Sequence, residues 1–132
     1  MKLYLAGPMS NIEHYNFPAF DAAAAQLREA GHEVFSPAEN DRENGFDATG
    51  LKGHEAAEHG FSLRTALKQD LSWICDHAEG IALLPNAWGS KGARAELALA
   101  HALGIPYTDV PEWLPEVAEE IEFHVGAGFV IE

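Results

Sequence analysis

Cysteine is nearly absent from this sequence. Cys75 is its single thiol among 132 residues, so no intrachain disulfide can form and cysteine alone cannot build a zinc site. It follows "LSWI" in an apolar helical stretch, which predicts a place in the core. Positive charge is also scarce. Eight Lys and Arg face 21 Asp and Glu, a formal net charge of −13, with a pI near 4.8. That balance argues against a nucleic-acid polymer as partner, because phosphate-backbone binding needs broad positive surface. It still permits a small anion held locally by backbone amides. No apolar run is long enough to span a bilayer, and no basic segment precedes a short hydrophobic one. A cytoplasmic protein with no membrane partner is the expectation. What is present is ordinary for a globular chain: 47% hydrophobic and 22% charged residues, in a length suited to one domain with a real core.

The apolar pattern alternates between strand-like and helix-like. "KLYLAG" reads as a first strand ending at Gly7-Pro8. "FPAFDAAAAQLREAGHEV" has Pro18 in its first turn, an Ala run of high helix propensity, and Gly31 as a stop. "HEVFSP" is a second strand closed by Pro37. Residues 38–60 are polar and Gly-rich, which predicts a long loop or lid with at most short helices. Apolar residues at 63, 67, 71 and 74 predict the next helix, and "GIALLP" a fully apolar third strand. A loop and helix over 86–104, the strand "GIPYTDV", a helix over 111–125 and a tail that is a strand or a frayed end complete the chain. This order predicts a single-domain, flavodoxin/Rossmann-like α/β fold: an open parallel sheet with helices on both faces. Ligands in such sheets sit outside the carboxyl ends of the strands, where strand order reverses. The loops "AGPMSN", 38–60 and "PNAWGSKG" are therefore the candidate site.

"GSKGARAELALAHALG" holds a misfit. At about 100° per residue, Glu96 projects along the apolar face made by Ala93, Leu97, Ala100 and Gly104, extended by Leu99 and Leu103. A carboxylate there costs several kcal/mol unless it is paired or hydrogen-bonded. The helix dipole returns only about 0.3–1 kcal/mol. Either a partner reaches Glu96, or it faces a cleft, or it bonds the helix-start amides. Before it, Gly89, Ser90, Lys91 and Gly92 combine a hydroxyl, a cation and a permissive backbone at a helix N-terminus, the makings of an anion seat. The same residues also make a plain helix cap.

"KLYLAGPMS", "ALKQDLSWICDHAEGIALLP" and "WGSKGARAELALAHALGIP" together resemble the nucleoside 2-deoxyribosyltransferase superfamily. Within it the likeness is nearest to the DUF4406 group, and it extends to the 2'-deoxynucleoside 5'-monophosphate N-hydrolases. The resemblance implies an N-glycosidase acting on a 2'-deoxynucleoside or its 5'-monophosphate, by hydrolysis or deoxyribosyl transfer. It implies Glu96 as the nucleophile at C1', Tyr4 as the group that orients it, and Asp70 as the acid that protonates the departing base. Ser90 with the amides of Lys91 and Gly92 matches the holder of the 5'-hydroxyl or 5'-phosphate, and Gly7, Pro8 and Met9 match the first loop of the nucleoside site. It implies a small-molecule nucleoside or nucleotide as partner, a homo-oligomer in which a neighbouring subunit completes the site, and no metal or redox cofactor. The alternative is a nucleotide-binding or sensing module of the same fold without the chemistry.

Two aromatics, Trp88 in the third loop and Phe17 near the first, are placed either to stack on a base or to anchor packing. "HEAAEH", residues 54–59, does not make a metalloprotease motif. Its histidines are five apart, about 140° around a helix, where zinc ligands need a spacing of four.

Overall fold

The computed structural model describes residues 1–115. Four parallel strands, β1 (Lys2–Ala6), β2 (Glu33–Phe35), β3 (Gly80–Leu83) and β4 (Tyr107–Asp109), form one sheet in the order β2-β1-β3-β4. Four helices accompany them: α1 (Phe17–Glu29), α2 (Pro37–Glu43), α3 (Leu63–His77) and α4 (Lys91–Leu103). The expected flavodoxin-like α/β architecture is observed. Of the helix expected over 111–125, the described part is a 3-10 turn, Val110–Trp113; the remainder and the tail lie outside the described residues.

Strand alternation splits the core into two layers. Leu3 and Leu5 point to one face and pack with Phe20, Ala24 and Leu27 of α1. Tyr4 and Ala6 point to the other face, with Ile74 of α3 and Ala93, Leu97 and Ala100 of α4. The chain leaves β1 toward β2 and then returns past it to β3, so strand order reverses between β1 and β3. There the loops after both strands meet closely. A Cβ on Gly7 would lie 2.8 Å from the Leu84 Cβ, so only glycine fits.

The 38–60 segment is more regular than a lid. Ser36 and Pro37 start α2, a beginning that "SPAE" signals by the usual helix-start pattern. Glu39 does not close a capping box. It accepts two 2.6 Å hydrogen bonds from the Arg28 guanidinium instead, which holds its carboxyl below the usual range. Downstream, Phe46 enters the core, and the backbone docks on the first loop through Asn11 N to Gly53 O, 2.8 Å, and His14 N to Leu51 O, 2.7 Å. Gly53 has φ +108°, and a Cβ there would stand 2.4 Å from Ile12 N. Gly53→Ala is therefore expected to cost more than about 1 kcal/mol, read as a melting point several degrees lower.

One packing expectation needs correction. Cys75 is exposed, not buried, because Ile74 beside it is the residue turned inward and the next position lies about 100° away. The apolar series 63, 67, 71, 74 marks the helix that is observed as α3, though only Ile74 of the series is buried. Leu63 is 62% exposed, and the buried residues are Ala66, Asp70 and Ile74, spaced four and four. Leu103 is likewise half exposed at the end of α4. Among the described residues, no helix is long and apolar enough to cross a membrane.

Candidate functional site

Four buried polar or charged side chains occur among the described residues: Ser36, Asp41, Asp70 and Glu96. The backbone places them on β1's flank. Ser36 follows β2, Asp41 is on α2, Asp70 on the buried stripe of α3, and Glu96 on that of α4. Tyr4, wholly buried in β1, donates a hydrogen bond of 2.6 Å from its hydroxyl to Glu96 Oε2. This bond joins residues 92 apart in sequence. Tyr4 also stacks on Phe35, with ring centroids 5.5 Å apart, which fixes the ring and the direction of its O–H.

The electrostatics follow from burial without a cation. Burial pushes Glu96 up to about 8, against the opposing Tyr4 hydrogen bond and with help from the Asp70 and Asp41 charges. Burial raises Asp70 to about 7, partly offset by the Tyr4 hydroxyl. Burial, with the Asp70 charge added, raises Asp41 to about 7. The Tyr4 phenol is held well above its ordinary value, first by burial and then by Glu96 and Asp70, so it remains a donor at any physiological pH. Three carboxyls in one low-dielectric layer do not all ionise together. Near pH 7 such a cluster holds neutral and anionic carboxyls side by side, with Glu96 the most neutral of the three. Ser36 Oγ, Asp41 Oδ1 and Asp70 Oδ1 are buried with no hydrogen-bond partner among the described residues. Buried polar atoms are nearly always bonded, so three orphans in one region mark a place built for something other than packing.

The other predicted residues are placed as follows. Ser90 is the N-cap of α4, its Oγ accepting from Ala93 N at 3.2 Å. The helix starts at Lys91, so the first amides of this turn lack intrahelical acceptors. Lys91 is exposed and Gly89 and Gly92 flank it at the surface side of the loop. Gly7, Pro8 and Met9 lie at the β1–β3 switch point; the Pro8 carbonyl accepts from Asn16 Nδ2 at 2.9 Å. Trp88 is 56% exposed and packs edge-on to Tyr107. Phe17 is buried, edge-on to Phe46 and covered by the Arg42 guanidinium, so its ring serves packing. The sequence reading missed Asp41 and Ser36. The signal for Asp41 was its helical spacing of three from Ala38, which is also buried, within a segment read as loop.

Residues 1–109 match the family described as "Domain of unknown function (DUF4406)". The chain belongs to the DUF4406 family. The matched span includes all of the strands and helices described above, and with them Tyr4, Asp41, Asp70 and Glu96. No curated protein and no solved structure matches the chain. In this DUF4406 domain the Tyr4 hydroxyl is the only hydrogen-bond donor recorded on Glu96 among the described residues. Tyr4→Phe is accordingly expected to leave the fold intact and push the Glu96 carboxyl still higher, visible as an upward move of its titration in carboxyl-labelled NMR spectra.

Proposed function

We propose that this protein is an N-glycosidase for 2'-deoxynucleosides or their 5'-monophosphates, working through a covalent glycosyl-Glu96 intermediate. The observation that carries the reading is the 2.6 Å Tyr4–Glu96 hydrogen bond inside a buried carboxyl cluster. Cleavage of an N-glycosidic bond passes through an oxocarbenium-like state, which a carboxylate stabilises and then captures at C1'. Asp70, raised to about 7, is matched to hold the proton that the leaving base needs. Positive charge developing at C1' favours ionised Glu96, and loss of the Glu96 proton would let Asp70, whose charge acts on it, keep its own. The 5' end of the sugar would lie against Ser90 and the first amides of α4, where the helix dipole favours an anion; Lys91 inclines the reading to the monophosphate. Water then releases the sugar, or a second base accepts it. A neighbouring subunit in a homo-oligomer would close the site.

The test is incubation with the four deoxynucleosides and their 5'-monophosphates, with chromatography for free base, and repetition with an added acceptor base. Base release by the wild type is expected. Exchange into the acceptor would make it a transferase rather than a hydrolase. One observation favours a second reading: Glu96 raised to about 8 is mostly neutral in the free protein, as suits a binding module that lacks the chemistry. Ligand binding without base release from any substrate would decide for that module.

A further inference from the structure

We propose that the turn His14–Asn16 is a strained positioning element for the first loop, latched by the 48–56 segment and released when the His14 imidazole gains a second proton. His14, Tyr15 and Asn16 all have left-handed backbones, with φ of 56°, 51° and 62°. Residues other than glycine rarely enter that region, and Asn tolerates it best. Three in a row persist only where surrounding contacts over-determine them. Here those contacts come from 48–56. His14 N donates to Leu51 O at 2.7 Å, Gly50 N donates to His14 Nδ1 at 2.7 Å, and Ala56 N donates to the Tyr15 hydroxyl at 2.7 Å. The Tyr15 ring is buried, edge-on to Phe46. At the far end of the turn, Asn16 Nδ2 donates to the Pro8 carbonyl at 2.9 Å. The turn therefore ties the 48–56 segment to the loop at the β1–β3 switch point.

The proton-sensitive point follows from the direction of one bond. A backbone N–H can only donate, so His14 Nδ1 is the acceptor and carries no proton. An imidazolium has N–H groups on both nitrogens, so a second proton sets two donors against each other where there was a bond. The ring is partly exposed, and Glu13 Oε2 stands 4.0 Å from its Nε2, which favours the cation. On the facing segment the carboxylates are taken by amides: Asp47 accepts from Thr49 N, and Glu55 from Lys52, Gly53 and His54 N. His54 Nδ1 lies 3.7 Å from Glu55, and Lys52 is exposed. Histidine ordinarily changes charge between about pH 5 and 8, so the latch is closed at the upper end of that range and open at the lower. Once open, nothing holds the left-handed strain, and the turn relaxes and takes Asn16 off Pro8. That the released loop is where a nucleoside sits rests on the N-glycosidase reading; the latch does not.

NMR on the full chain tests the latch, with amide exchange and the Met9 methyl, which packs against the core from the first loop, as reporters. Between about pH 7.5 and about pH 5.5 the protection factor of the Gly50 amide is expected to fall at least about tenfold, and the Met9 signal to move with it. His14→Asn sets an acceptor oxygen near the place of Nδ1, tolerates the left-handed backbone and does not titrate. It should abolish the Gly50 fall and reduce the Met9 movement, while His54 and the buried carboxyls titrate as before. His14→Ala removes the acceptor and should show the open values at both pH. Ile81 N, bonded to Pro106 O in the sheet at 2.9 Å, reports global unfolding and should hold or gain protection at the lower pH. No Gly50 fall in the wild type, a fall surviving in His14→Asn, a fall shared by Ile81, closed values in His14→Ala at about pH 7.5, or equal Met9 movement in wild type and His14→Asn would each overturn the proposal. In an active enzyme, His14→Ala should raise KM at least about tenfold at about pH 7.5 with little change in kcat, and His14→Asn should restore it. A KM unmoved by His14→Ala would take the first loop out of the substrate site. The two readings fail separately. The full NMR pattern in a protein that releases no base leaves the latch and removes the glycosidase. Base release with no His14-dependent Gly50 fall does the reverse.

Discussion

Glu96→Gln is expected to abolish base release, to leave the protein about as stable as before near pH 4, and to make it increasingly more stable than the wild type from there to about pH 8. The amide keeps the size of the carboxyl and still accepts from the Tyr4 hydroxyl, so the 2.6 Å bond and the packing against Ala93, Leu97 and Ala100 persist. It cannot attack C1'. Removal of a nucleophile in comparable covalent mechanisms lowers kcat by about 10⁴–10⁶-fold. The stability effect has a definite sign. Glu96 is raised by burial to about 8, above its unfolded value, so its contribution is fully present at low pH and lost as pH rises through about 8. Glutamine does not titrate, so the variant's advantage in melting temperature should widen between about pH 5 and pH 8 and hold level above that. Chromatographic rates with thermal melts across that window check both halves. Activity within tenfold of the wild type would remove Glu96 as nucleophile. A variant that lost stability with rising pH as steeply as the wild type would show that the carboxyl ionises elsewhere than in a buried site.

The wild-type protein should lose stability steadily from about pH 5 to about pH 8, an unusual direction for so acidic a chain's carboxyls. Asp41 and Asp70 are raised by burial to about 7 and Glu96 to about 8. Each folded pKa stands above the unfolded one, so the folded state binds more protons in that window and stability falls as they leave. A carboxyl raised from about 4 to about 7 costs roughly 4 kcal/mol across it. Sharing of protons within the cluster makes the total less than three such terms, but still several kcal/mol, a large part of a stability of about 5–15 kcal/mol. A fall in melting temperature of about 10 °C or more follows. Glu39, held low by Arg28, acts with the opposite sign, and its contribution is lost only below the ordinary carboxylate range. Repulsion within a net charge of −13 also grows with pH, but salt screens it and does not screen a buried cluster. The slope should therefore survive high salt and become shallower in Asp41→Asn. A melting temperature flat from about pH 5 to pH 8 in high salt would contradict the burial of these groups.

Much of the fold was legible because the sequence states it locally. Strand-like apolar runs alternate with Ala-rich helical ones, Pro18 and Ser90 sit at helix starts, and Gly31 and Gly104 follow helix ends. Those signals act within a few residues and survive any tertiary arrangement. Glu96 was legible for a similar reason: one carboxyl among Ala and Leu at helical spacing must be buried or face a cleft. Asp70 was visible only through the resemblance, because its neighbours Leu67 and Leu71 set a stronger periodicity than the true buried stripe of Ala66, Asp70 and Ile74. Which face of an amphipathic helix is buried depends on the elements packed against it, and those come from distant sequence. The same holds for Cys75, turned outward beside a buried Ile74.

The sequence by itself determined the class of fold, the position of Glu96 on an apolar helix face, and the glycine-and-serine start of α4. Only the tertiary structure decided that Tyr4 reaches Glu96 across 92 residues and that α2 brings Asp41 within range of the Asp70 and Glu96 charges. Hydrogen bonds and charge coupling fall off within a few ångströms, so a constellation drawn from β1, α2, α3 and α4 exists only once the sheet has set those elements side by side.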